Sequence, residues 1–269
     1  MLFNNEQPAT GNWRKTKKSN AVRKLVCFFI IFVVAIACNK GGGESFGIDV
    51  SQNNGNIDWS KVKSQKKTKD PIEFVVIRCT MGIDGIDRCY ERNYKEAKKN
   101  GFIVGSYHYY RPNENSIRQF ENFKNVVHLE KGDILPVVDI EVFPSTQSMI
   151  SLKSGLHRFL TLVEMEYGVK PIIYTKLSMW KDYLESEFSG YKLWVAAYST
   201  HRRDDSTVIN AEIHQFTKEI RNIPGIPSKY VDGDDARDLP SILYWKMSRQ
   251  SMWTNMMLEI CHQSSLKIL

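Results

Sequence analysis

Residues 134–143, ILPVVDIEVF, form an apolar run broken only by two charges, Asp139 and Glu141, both acidic. A run this short and β-branched, entered through Lys131, Gly132 and Asp133, reads as a buried strand. Residues two apart on a strand project from one face, which predicts that Asp139 and Glu141 point the same way with Cα atoms about 6–7 Å apart. At that spacing each carboxylate opposes ionisation of the other and raises one pKa, the electrostatic setting of an acid/base pair. The competing reading is two strand-end acids facing solvent or basic side chains. Burial favours the pair, because Val137 and Val138 before it, and Ile140 and Val142 around Glu141, make an isolated acid costly.

Working outward, strand and helix patterns alternate on both sides of this run. Residues 46–51 (FGIDVS), 72–79 (IEFVVIRC), 102–110 (FIVGSYHYY) and 171–176 (PIIYTK) read as strands. Helical patterns separate them at 58–62, 90–100, 116–129, 148–167 and 177–186, the second stopped by Gly101 as a left-handed cap. Such alternation argues for parallel βα units. After residue 186 the rhythm changes: 192–199 (KLWVAAYS), 209–217 (INAEIHQFT) and 230–234 (YVDGD) are strand candidates too close together for full helices between them. Eight strands suit barrel closure, and in β/α barrels the chemistry sits at the C-terminal ends of the strands. Asp49, Asp139, Glu141 and Asp232 all read as lying at or near such ends.

Other residues are candidates for binding. Tyr107 and Tyr109 end the third strand, where alternate members could face a barrel mouth and stack on sugar rings; core packing is the alternative for each. Trp194 and Tyr198 on the sixth strand, with Gln215 on the seventh, could supply aromatic walls and a hydrogen-bonding group, or be core. His108 and His214 read as structural histidines. No metal-ligand spacing, phosphate-binding glycine motif, internal repeat or nucleophile elbow is present, so no cofactor or metal is expected.

The formal charge of the 269 residues is +7, of which +5 falls in residues 1–24; the remaining +2 does not make a nucleic-acid footprint. That basic leader runs into residues 25–38, LVCFFIIFVVAIAC, too short to span a bilayer and suited to the apolar part of an export signal. The run ends in small residues before Cys38, followed by Asn39, Lys40 and three glycines, and resembles a bacterial lipoprotein processing site. Cleavage before Cys38 with lipidation is expected, an uncleaved signal anchor being the other reading. Either puts the protein in the cell envelope, attached to the membrane through the leader or a lipid anchor. Cys79 and Cys89 bracket a nine-residue loop that an exported protein could close with a disulfide, or they remain free thiols.

Taken together, FGIDVSQNNGNIDW, FVVIRCTMG, GSYHYYRP, LPVVDIEV, PIIYTK, LWVAAYS, IHQFT and VDGD resemble, in order, the glycoside hydrolase family 25 lysozymes, the Chalaropsis-type muramidases. The resemblance covers residues 46–234. It implies an α/β, irregular TIM-like (β/α)5(β)3 barrel, with Asp49, Asp139, Glu141 and Asp232 as the acidic cluster and Glu141 as proton donor. The implied reaction is hydrolysis of the β-1,4 bond between N-acetylmuramic acid and N-acetylglucosamine in peptidoglycan glycan strands. Departures occur at Cys79, where many relatives carry a small residue, and after Asp232, where GDDARDLPS replaces the more usual ending. The chain divides on this reading into a leader and tether (1–43), a catalytic barrel (44–241) and a tail (242–269). A chitinase-type barrel would require acids at Ile134 and Val137 and is disfavoured; a catalytically silent peptidoglycan-binding barrel is the alternative from another class.

Overall fold

A computed structural model of the chain describes residues 44–64, 71–198 and 205–245. The chain divides into two units, Met1–Gly43 and Glu44–Leu269, and every described residue belongs to the second. The leader with Cys27 and Cys38, the end of the tail from 246, and Cys261 lie outside the described residues.

In chain order the elements are β1 (Ser45–Val50), α1 (Trp59–Ser64), β2 (Phe74–Met81), the short β3 (Gly85–Ile86), α2 (Tyr90–Lys99), β4 (Ile103–Tyr109), α3 (Ser116–Val126), β5 (Val137–Asp139), α4 (Met149–Tyr167) and β6 (Ile172–Lys176). A helical run over 177–188 follows, with a π-helical turn at Trp180–Leu184, and then β7 (Lys192–Ala196), α5 (Ser206–Asn210), β8 (Ile213–Arg221) and β9 (Tyr230–Ala236). Strands β1, β2, β4, β5, β6, β7 and β8 lie side by side in parallel. Strand β9 returns antiparallel between β8 and β1 and closes the ring. The closed eight-stranded barrel that the strand spacing implied is therefore present, with β3 as a two-residue hairpin on the end of β2.

Alternation along the strands divides the core into two layers. Phe74, Val76, Val137, Ile172, Tyr174, Trp194, Ile213 and Ala236 fill the barrel interior. Val75, Ile77, Val104, Val138, Ile173 and Val195, their neighbours in sequence, face outward onto the helices. Gly47 is a point of necessary smallness: the Phe74 ring crosses the interior where its side chain would stand.

Two expectations are corrected, and one open alternative is settled. The acid-bearing strand is only Val137–Asp139, because Pro136 cannot donate to the ladder and the chain peels away after Ile140. The strand expected over 209–217 begins later: Asp205 accepts a hydrogen bond from the Thr207 N–H and caps a helical turn, and β8 then continues to Arg221 as one arm of a hairpin with β9. Finally, Cys79 and Cys89 are free. Both thiols are buried, Cys79 donates to the Tyr107 carbonyl at 3.0 Å, and Cys89 sits at the start of α2, so each has its own structural place.

The barrel floor is closed by the 3-10 turn Leu239–Ile242 and the residues after it. Leu135 N–H donates to the Ile242 carbonyl at 2.8 Å, Tyr244 N–H to Asp133 at 2.6 Å, and Ile242 is fully buried. The boundary drawn at 241/242 falls inside this plug.

Candidate active site

The mouth opens at the C-terminal ends of the seven parallel strands. Asp49 stands near the end of β1, buried within the interior, and its Cα partner across the antiparallel pairing is Asp232. Here a correction follows from topology: β9 runs opposite to the others, so Asp232 reaches the mouth from the beginning of its strand rather than the end. Asp139 ends β5 beside Tyr109 of β4 and Tyr174 of β6. Glu141 lies two residues beyond the strand, and the single-face argument does not carry to it. The two acids differ in exposure instead: Asp139 is 6 % exposed, whereas the Glu141 side chain is 28 % exposed and ion-paired to Lys176 at 3.4 Å.

The electrostatics follow from that difference. Burial, then the negative charges of Glu141 and Asp49, push the Asp139 pKa well above the usual carboxylate range. Its Oδ1 is buried without a hydrogen-bond partner. Burial, then Asp232, raises Asp49 in the same sense. Burial and Glu141 bring Asp232 from 3.8 to about 6. Asp49 and Glu141 link the set, Asp49 acting on Asp139 and Asp232 raising Asp49, while Glu141 acts on the other three.

Of the five candidate binding residues, four border this set and one supports it. Tyr107 lies against Asp49 and Asp139, and Tyr109 against Asp139 and Glu141, both with phenol pKa values raised by burial and then by those charges. Gln215 donates its amide to Asp49 Oδ2 at 2.7 Å and accepts from the hydroxyls of Tyr174 at 2.8 Å and Tyr198 at 2.5 Å. Tyr198 is 47 % exposed and offers ring surface at the rim. Trp194 is only 2 % exposed and has no surface for a ligand; its indole N–H donates to Asp234 Oδ1 at 2.9 Å beneath the cluster. His108 faces the helices, stacked on Phe159 and bonded to Thr80 and Gln119, with burial lowering its pKa to about 4.

Three charged residues of the mouth were not singled out from sequence. Asp234, fully buried, is held by Trp194 and shares a contact with Asp49, and burial followed by Asp49 and Asp232 raises its pKa. Its Oδ2 is buried without a hydrogen-bond partner. Arg78 bonds Asp87 at 3.2 Å, and its positive charge opposes the rise of the Asp139 and Tyr107 pKa values. Lys176 holds Glu141. The available signal was parity: Arg78 has the spacing of the interior residues Phe74 and Val76, and Asp234 that of Asp232.

Among the described residues no group of His, Cys, Asp and Glu side chains is arranged to hold a metal ion. A separate cavity of about 430 Å³ lies between α3 and α4, bordered by Tyr110, Glu114, Gln147 and Arg158, and contains none of the mouth acids.

Comparison with known proteins agrees with this arrangement. The family model for glycosyl hydrolases family 25 matches residues 48–226. The uncharacterized protein YegX of Escherichia coli (strain K12) is 32 % identical over 159 residues, 59 % of this chain and 58 % of that protein. The autolytic lysozyme of Clostridium acetobutylicum is 30 % identical over 156 residues, 58 % of this chain and 46 % of that protein. The matched stretch thus spans less than two thirds of these relatives. Among solved structures, the bacterial lysozyme from Streptomyces coelicolor superposes with a TM-score of 0.65 at 24 % identity, over 75 % of this chain and 96 % of that one, which shows the shared fold. With the family model covering most of the barrel and the acids gathered at one mouth, the chain belongs to family 25 of the glycosyl hydrolases.

Proposed function

We propose that the protein is a peptidoglycan hydrolase that cleaves the β-1,4 bond between N-acetylmuramic acid and N-acetylglucosamine. The observation that carries the reading is the gathering of Asp49, Asp139, Glu141 and Asp232 round one mouth, with Asp139 buried and Glu141 accessible. A mouth with more negative charge than it can ionise keeps a proton near neutral pH. Burial favours the protonated form of Asp139 in the free site. We assign the catalytic proton to Asp139 and Glu141 together, with the accessible Glu141 as the member that delivers it.

Substrate entry displaces water and Lys176 from Glu141, which takes the shared proton and delivers it to the glycosidic oxygen as the C1–O bond breaks. Asp139, now ionised, orients and polarises the 2-acetamido group, whose carbonyl oxygen attacks C1; water then attacks C1 and opens the resulting ring, giving its proton to the Glu141 carboxylate and restoring the acid. Asp49 and Asp232 stabilise positive charge developing on the sugar. Gln215 holds Asp49, and Tyr107, Tyr109 and Tyr198 line the sugar path. No cofactor takes part.

Mass spectrometry of fragments released from purified peptidoglycan tests the bond assignment, since reducing-end muramic acid identifies this cut. Glu141→Gln keeps the shape but removes the donor, and the rate is expected to fall about 10²- to 10⁴-fold. A folded Glu141→Gln protein digesting at the wild-type rate would defeat the assignment.

The same reading places the enzyme in the cell envelope, with cleavage before Cys38 and lipidation of its thiol. Stable attachment needs more than one acyl chain, which such processing supplies. Cys38→Ser should release the protein or leave it unprocessed; unchanged membrane fractionation and mature mass would favour the uncleaved anchor.

A further inference from the structure

Phe143 and Tyr183 form an aromatic corner at the rim, outside both layers of the core. Their ring centroids are 5.2 Å apart with 76° between planes, and they remain 51 % and 39 % exposed. Phe143 follows Glu141 by two residues, and Tyr183 projects from the π-helical turn after β6, a local geometry common at functional sites. The loop bearing Phe143 is held at both ends. Ile140 N–H donates to the Tyr174 carbonyl at 2.9 Å and Thr175 Oγ1 to the Ile140 carbonyl at 2.5 Å. Beyond Phe143, the N–H groups of Ser145 and Thr146 donate to Asn113 Oδ1 at 3.2 and 3.1 Å, and Asn113 Nδ2 donates to Ser145 Oγ at 2.8 Å. The corner is thus exposed and preorganised at once.

Resting on the muramidase reading above, we propose that this corner binds a further pyranose ring of the glycan strand, outside the two rings whose bond is cut. Strands β5 and β6 lie across the barrel from β1 and β9, which carry Asp49 and Asp232. A glycan laid between those acids and Glu141 continues onto the corner. The C–H face of a pyranose suits an aromatic ring face, and exposed Val142 extends the apolar surface. The patch is far smaller than the roughly 1,000 Å² that a stable protein interface requires, but it matches one sugar ring.

The test uses the Glu141→Gln protein, whose turnover is slow enough for binding to be read first, and measures its affinity for purified N-acetylglucosamine–N-acetylmuramic acid oligomers of two and six sugars. Adding Phe143→Ala or Tyr183→Ala should weaken six-sugar binding about tenfold while leaving two-sugar binding unchanged, the size expected for losing one aromatic anchor. Both side chains are on the surface, so the fold should survive, which circular dichroism checks. Unchanged six-sugar affinity in both variants, or an equal loss for both oligomers, overturns the corner while the muramidase reading stands. If the Glu141→Gln parent binds neither oligomer, the muramidase reading falls and takes the corner with it.

Discussion

Asp232 is the acid of the cluster whose pKa is brought up to about 6, close to neutral pH. Its rise from 3.8 comes from burial first and from Glu141 second, and both costs apply only to the ionised form. Two consequences of opposite kind follow. For catalysis, the proposed role needs the negative charge, so activity should fall as pH drops through about 6, and Asp232→Asn should lower the rate while removing that acid limb. For stability the sign is reversed. The native state binds the proton more tightly than the unfolded chain, so the group's contribution is full below pH 3.8 and is lost as pH rises to about 6. Asp232→Asn should therefore stabilise the protein at pH 7 by about 1 to 2 kcal/mol, the lower part of what the shift implies because the carboxyl still touches water. A denaturation series across pH 4 to 8, run beside the pH–rate profile, checks both; a variant no more stable at pH 7 than at pH 4, relative to wild type, would contradict the burial argument.

At the scale of elements, the brevity of β5 decides how differently the two central acids are exposed. The strand ends at Asp139, which stays in the interior, and the departing chain carries Glu141 into the accessible rim. Strand β2 is equally constrained on its outer side. Cys79 is sealed against the helices with burial pushing its thiol up to about 12, and its sulfur is already bonded across to β4. A thiolate is the reactive species, so this cysteine is inert while the strand is in place. Labelling the protein without reductant should find Cys79 and Cys89 both free after denaturation, and Cys79 unreactive before it. A mass consistent with a bridge between them would reverse this conclusion.

For the whole molecule, closure depends on two late pieces of chain. Strand β9 joins β8 to β1 and brings Asp232 and Asp234 into the mouth, while the plug over Leu239–Ile242 seals the floor. Leu239, Ile242 and Tyr244 are buried, and each apolar side chain so buried is worth about 1.5–3 kcal/mol. A chain ending at Asp238 should lose on the order of 5 kcal/mol, comparable with the whole stability of an ordinary domain. Thermal unfolding of that truncation, beside one ending at Trp245, tests the plug; equal midpoints would show that the floor needs no cover.

The order of strands and helices was legible because periodicity and turn residues are local properties: Gly101, with φ of 75°, ends α2 as its position in the sequence implied. The four acids stood out in the sequence as charges in or beside strand-like runs, and the structure brings them to one mouth. What the chain alone did not reveal depends on partners distant in sequence. The direction of β9, and hence the route by which Asp232 enters the mouth, is set by pairing with Ser45–Val50, nearly two hundred residues earlier. The unequal exposure of Asp139 and Glu141, the burial of Asp234 against Trp194, and the separate places of Cys79 and Cys89 likewise arise only when the barrel closes. Burial and register are properties of the assembled sheet, and they decide which of the visible acids lies buried and which stays accessible.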